Sequence, residues 1–258
     1  MVNKKHVTLA ATFSRINLSM KITTTNNHYL LTPDINKDTI DLNWFDAQFW
    51  QAKNAIVATK EGRSTAWFFE HHQKVNVLKH YWRGGLVGKL LSDQYLYTGL
   101  KNTRVYQEFA LLCQLEKLGL PISKPVAAKI SRTGLVYRGS LITEAVKGAQ
   151  SLCERLRAEP ANHLALKKVA QTVARFHQAG VYHADLNINN ILFDECDEVY
   201  LIDFDRGELK TPSRTWQQAN LSRLERSFNK EADKWPTFYF TQDDWLLLQQ
   251  SYWQALQS

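Results

Sequence analysis

The chain has 258 residues, of which 44% are hydrophobic and eight are Trp, enough to bury one large core or two smaller ones with a cleft between them. Its net charge of +7 points to anionic partners: a nucleotide, a nucleic acid or an anionic membrane surface. No apolar run approaches the ~20 residues of a membrane-spanning helix, and Cys113, Cys153 and Cys196 form neither a C-x-x-C pair nor a zinc pattern, so free thiols are expected.

Residues 1 to about 40 read as a polar, Thr/Asn-rich arm or irregular leader. Met1 to Lys5 imitates the start of a secretory signal, but His6 and Arg15 interrupt the adjoining stretch, so no signal is expected. Residues 41–49 predict a short helix capped by Asp41. Strands are predicted at 56–59, 65–69 and 74–81, with a turn at Gly62-Arg63. In the third strand Val75, Val77 and Lys79 alternate onto one face, so Lys79 can reach a phosphate in a cleft. Residues 83–91 read as a Gly-rich loop running into an amphipathic stretch. With Arg83, Lys89, Lys101 and Arg104 around it, this is either a lipid- or substrate-facing element or packed apolar residues with solvated charges.

A helix is predicted over 103–118 from the spacing of Val105, Phe109, Leu112 and Leu115, with Gly119 as its C-cap residue. Strands at 126–130 and 139–146 flank a turn at Thr133-Gly134. Ser151-Leu152-Cys153-Glu154 fits a capping box. A longer helix is predicted over 160–178, ended by Gly180. After Asp205 the chain reads as mostly helical, with Trp216, Leu221, Leu224, Trp245, Leu248 and Trp253 as core. No clustered basic helix or RNA-binding signature supports a nucleic-acid partner, and no protein partner is evident.

Between those helices lies His183-Ala184-Asp185-Leu186-Asn187-Ile188-Asn189-Asn190, then two apolar runs around Asp194-Glu195-Cys196-Asp197, then Ile202-Asp203-Phe204-Asp205. Pairing the runs as a hairpin brings Asn190 and Asp203 to the same end. The order resembles H-R-D-L-x-x-x-N and D-F-G of protein kinases. Phosphoryl transfer needs an Asp at the acceptor hydroxyl and oxygen ligands for Mg²⁺ against the ATP phosphates.

Over about residues 55–255 the chain resembles the protein-kinase-like superfamily. The resemblance implies an α+β, two-lobed fold: the leader to residue 50, a small β-rich N-lobe over 51–144 and a mostly helical C-lobe over 145–258. It implies Asp185 as catalytic residue, Asn190 and Asp203 as Mg²⁺ ligands, and His183 as a structural brace. Lys79 would contact ATP phosphates, paired with Glu108, for which Glu116 is the competitor. Backbone from Glu144 to Val146 would meet adenine. Departures are clear. There is no G-x-G-x-x-G, and residues 61–65 are only a weak substitute. Ala184 replaces the Arg of H-R-D, and Asp205 replaces the Gly of D-F-G. Only 55 residues come after Asp203, which favours a small-molecule or glycolipid acceptor over a protein.

Four segments together are similar to the 3-deoxy-D-manno-octulosonic acid (Kdo) kinase family: residues 77–85, residues 119–128, His183 to Asn187, and residues 201–207. That resemblance implies transfer of the ATP γ-phosphate to the 4-hydroxyl of Kdo on Kdo–lipid A during lipopolysaccharide inner-core synthesis. It implies a peripheral protein on the cytoplasmic face of a Gram-negative inner membrane. Arg206 would contact the Kdo carboxylate or form a structural ion pair. The alternatives are a kinase of a core heptose or another small molecule, and a pseudokinase that only binds nucleotide.

Overall fold

The structure is a computed structural model that describes residues 20–34, 39–61, 65–81 and 94–257. The Gly62-Arg63 turn and the basic-apolar stretch over 83–91 lie outside the described residues. In chain order the elements are β1 (Met20–Thr25), β2 (His28–Pro33), α1 (Ala47–Ala52), β3 (Ile56–Lys60), β4 (Ala66–His71), β5 (Lys74–His80), β6 (Tyr95–Leu96) and α2 (Arg104–Lys117). Next come β7 (Pro125–Thr133), β8 (Val136–Glu144), β9 (Gln150–Ser151), α3 (Leu152–Ala158) and α4 (His163–Gln178). The rest are β10 (Val181–Tyr182), β11 (Ile191–Phe193), β12 (Val199–Leu201), β13 (Glu208–Leu209), α5 (Arg214–Lys234) and α6 (Gln242–Gln257).

An antiparallel sheet in the order β1-β2-β7-β8-β5-β4-β3, with β6 added to β8, makes up the N-terminal part. Alternate side chains leave its two faces. Phe69, Leu78, Ala127 and Ile142 pack on Trp44, Phe45 and Trp50 on one side. Trp50 stacks on Phe69 at 4.1 Å, and its indole N–H donates to Trp44 O at 2.9 Å. On the other side α2 presses Val105, Phe109 and Leu115, each fully buried, against Leu31, Ala128, Ile130 and Leu141. Each such side chain contributes roughly 1.5–3 kcal/mol. Gly139 on β8 admits this approach, since a Cβ there would stand 2.8 Å from Val105 Cγ1.

Over residues 20–33 the expectation of an irregular leader is corrected by the β1–β2 hairpin, which joins the sheet through β2 and β7; residues 1–19 of that leader lie outside the described residues. Its outer strand, MKITTT, is polar because it is an edge strand, and Asn26 turns the chain at φ +51°. The single helix expected at 41–49 is two short pieces. Asp41 caps a 3₁₀ turn over Leu42–Phe45, and the extended Asp46 ends it and caps α1 by accepting from Gln48 N–H at 2.9 Å.

The helical part is closer to expectation. α2 ends at Gly119, φ +65°, with Gly119 N–H donating to Glu116 O at 2.9 Å. The Ser151–Glu154 capping box is formed in both directions. α4 lies against α6, where His177 Nδ1 bonds the Tyr252 hydroxyl at 2.6 Å. Leu221, Leu224, Trp245 and Leu248 are core, but Trp216 and Trp253 are only partly buried. The large aromatic at the α4–α6 contact is Tyr252, whose hydroxyl has a buried partner while its ring packs.

Candidate active site

The loop after α4 is tied by its own polar groups. His183 Nδ1 accepts from Asp185 N–H at 3.1 Å, and Nε2 donates to Ile202 O at 3.0 Å. One partner only donates and the other only accepts, so the ring is the neutral Nε2–H tautomer. Burial pushes its pKa down and keeps it neutral. The ring also lies 4.8 Å from Phe204, which stacks on Phe176. Asn187 and Asn190 both donate side-chain amides to Asp185 O, at 2.8 and 3.0 Å. The Asn190 Nδ2 donation leaves its Oδ1 uncommitted among the described residues.

β11 and β12 pair with Ile191 opposite Leu201, and Ile202 N–H donates to Asn190 O at 3.0 Å. Asn190 and Asp203 therefore meet at one end of the hairpin, as its pairing required. Asp203 is held at φ +63°, a left-handed conformation that costs a non-glycine residue about 1 kcal/mol or more and persists only where surroundings enforce it. Its carboxylate meets Lys79 Nζ, arriving from β5. Val75, Val77 and Lys79 do share the half-buried face of that strand, while Asn76 and Leu78 are buried on the other.

Glu108 and Lys79 do not form the expected ion pair. Among the described residues Lys79 pairs with Asp203, and buried Glu108 accepts a hydrogen bond from the Tyr81 hydroxyl. Burial pushes the Glu108 carboxyl up to about 7, with Lys79 and Tyr81 pulling it partly back. Glu108 remains the acid inside the site. Glu116 is exposed near Lys124 and Glu144, because eight residues of helix leave the two about 80° apart.

Arg104, expected near a lipid- or substrate-facing element, turns inward. Its Nε donates to Asp205 Oδ1 at 3.0 Å, its Nη2 to Asp205 Oδ2, and its Nη1 to the Tyr95 hydroxyl at 2.7 Å. A bidentate bond to a half-buried carboxylate outweighs solvation at that point. Asp205, standing where protein kinases have glycine, thus fastens the 203–205 turn to the start of α2. Sequence reasoning missed this pair and a second one: Arg223 on α5 donates from Nη1 to Asp185 Oδ1 at 2.7 Å. An acid in a glycine's place was the only available signal for the first. Arg206 is exposed at φ +59° and makes no ion pair among the described residues, so the structural ion pair considered for it is absent there.

Glu144 ends β8, with its side chain paired to Lys74. The N–H groups of Glu144 and Ala145 donate to Lys124 O and Val75 O, each at 2.8 Å, whereas Val146 N–H has no partner among the described residues.

A lysine facing one aspartate, a second aspartate held by a histidine-braced loop, and an uncommitted amide oxygen between them form one cluster. Similar proteins are known. A 3-deoxy-D-manno-octulosonic acid kinase of Vibrio parahaemolyticus is 42% identical over 187 residues, 72% of this chain and 78% of that protein. One of Photobacterium profundum is 40% identical over 208 residues, 81% of this chain and 87% of that protein. One of Stenotrophomonas maltophilia is 41% identical over 194 residues, 74% and 76% of the two chains. Residues 47–252 match the family described as lipopolysaccharide kinase (Kdo/WaaP). With most of its length covered and this cluster inside the matched region, the chain belongs to the lipopolysaccharide kinase (Kdo/WaaP) family, whose α+β fold and use of ATP as co-substrate it shares.

Proposed function

We propose that this chain transfers the γ-phosphoryl group of ATP to the 4-hydroxyl of Kdo on Kdo–lipid A, in lipopolysaccharide inner-core synthesis. The observation that carries the reading is the meeting of Asp185, Asn190 and Asp203 at one hairpin end opposite Lys79. Kdo kinases at about 40% identity support the acceptor. The Asp185 carboxylate, 59% exposed, is open to an incoming hydroxyl. As the acceptor oxygen bonds to the γ-phosphorus, the bond from phosphorus to the β–γ bridging oxygen breaks, ADP leaves, and the hydroxyl proton goes to Asp185. Lys79 holds positive charge where phosphate oxygens gather, and Val146 N–H, unpartnered among the described residues, can donate to adenine.

Asn190 Oδ1 and the Asp203 carboxylate are hard oxygen donors that fit Mg²⁺. Among the described residues no group of three or more His, Cys, Asp or Glu could hold a metal ion by itself. Bound there, Mg²⁺ would offset charge on the phosphates. The net charge of +7 and an anionic glycolipid acceptor support a peripheral position on the cytoplasmic face of the inner membrane. Among the described residues no helix is long and apolar enough to cross one.

The test is transfer from labelled ATP and Mg²⁺ to Kdo–lipid A, heptose-bearing core and a generic protein in parallel. Label in Kdo–lipid A alone supports the reading. Label in another acceptor keeps the kinase and replaces the substrate. Nucleotide binding without label anywhere leaves a pseudokinase.

A further inference from the structure

Asp185 and Arg223 form an exposed pair with unused valence. Their side chains are 59% and 45% exposed, and their contact is Nη1 to Oδ1 at 2.7 Å. Among the described residues, Asp185 Oδ2 and the Nε and Nη2 groups of Arg223 have no partner. Arg223 is also well positioned. Helix α5 is fastened along the 183–190 loop by three bonds: His183 N–H to Asn220 Oδ1 at 3.2 Å, Ile188 N–H to Ser227 Oγ at 3.2 Å and Asn189 Nδ2 to Glu231 Oε1 at 3.3 Å. The guanidinium is thus presented from a rigid element beside the one carboxylate that must meet the acceptor hydroxyl.

We propose that Arg223, which touches Asp185, and not the exposed Arg206 first considered for this role, is the receptor for the carboxylate of the acid-sugar acceptor, and so a specificity-determining residue. This rests on the function proposed above. An acid sugar carries a hydroxyl and a carboxylate on one ring. Asp185 Oδ2 accepts from the first, and the open edge of Arg223 grips the second through parallel N–H bonds. Arg is the residue suited to such a fork. Arg226 and Lys230 fall within about 60° of Arg223 around α5. Both are exposed and without ion-pair partners among the described residues, so the basic face continues away from the site.

The experiment measures kcat/KM for Kdo–lipid A and for its carboxyl methyl ester, with the wild type, Arg223→Gln and Arg223→Lys, and KM for ATP alongside. Esterification is expected to lower wild-type kcat/KM about 10- to 100-fold, the size of a charged hydrogen bond. Arg223→Gln should lose a similar factor on the acid, treat acid and ester alike and keep its KM for ATP; Arg223→Lys should fall between. Equal losses on both acceptors in Arg223→Gln would show that Arg223 acts only through Asp185, and the proposal falls. It falls also if the wild type uses acid and ester equally well, an arm that needs no variant to fold. No transfer to either acceptor by the wild type removes the Kdo reading and this proposal together.

Discussion

On the loop side of the site, His183, Asp185, Asn190 and Ile202 are joined by hydrogen bonds spanning 2 to 19 positions. On the sheet side, Lys79 meets Asp203 across 124 positions, and Arg104 meets Asp205 across 101. The first set uses neutral amides, backbone groups and a neutral imidazole; the second uses charges brought from β5 and α2. Short-range neutral bonds fix the shape of the loop at little electrostatic risk. Long-range ion pairs dock that loop onto the sheet, and each depends on the whole fold to deliver its partner. The loop side should therefore carry the chemistry, and the sheet side should carry the coupling between fold and site.

The largest expected effect breaks the loop side. Asp185→Ala should lower transfer by about 10²- to 10⁴-fold. Its side chain is exposed, so the thermal midpoint should move little. Steady-state kinetics and calorimetry check both halves, and normal turnover would remove Asp185 from the mechanism.

Two buried groups, one on the sheet side and one behind the loop, should also respond to pH with opposite signs. Glu108 is raised by burial from 4.5 to about 7, so the native state binds its proton more tightly than the unfolded chain. Stability from this group is present below pH 4.5 and declines as pH rises to 7, by roughly 3 kcal/mol. His177 is lowered by burial from 6.5 to about 3. Its contribution is full above pH 6.5 and declines as pH falls toward 3, by roughly 5 kcal/mol. Urea titrations across pH 4–8 should show Glu108→Gln without the alkaline decline. His177→Gln should lose much of the acid decline, with His183, which burial also lowers, contributing to what remains.

Arg104→Ala sharpens the coupling claim. Leaving Asp205 half-buried without its guanidinium should destabilise by roughly 1–3 kcal/mol and raise KM for ATP by loosening the 203–205 turn. Adding Asp205→Ala should recover part of the stability, a non-additivity that a double-mutant cycle measures. The smallest effect concerns how α2 seats on the sheet. Gly139→Ala forces Val105 away from a Cβ at 2.8 Å and should cost about 1–2 kcal/mol in denaturant titration.

The loop side was readable because its information is local. H-x-D, the two apolar strands and the next Asp lie within 21 positions, and hairpin pairing alone brings Asn190 to Asp203. The helix ends at Gly119 and Ser151 were legible for the same reason, since a cap concerns only one turn of chain. The edge strand β1 was not, because exposure on both faces erases the alternation that marks a strand. Trp216 and Trp253 were overrated as core because bulk alone does not say how far a side chain is covered by the elements packed on it.

Sequence by itself determined the main strands and helices after residue 55, several of their cap residues, and the grouping of His183, Asp185, Asn190 and Asp203 around one hairpin. These derive from backbone chemistry and periodicities a few residues long. Tertiary structure alone decided that Lys79 pairs with Asp203 rather than Glu108, that Glu108 and not Glu116 is inside, and that Arg104 and Arg223 each find an aspartate of the site. A charge's partner is set by distance and desolvation, and both are defined only once residues a hundred positions apart have been packed together.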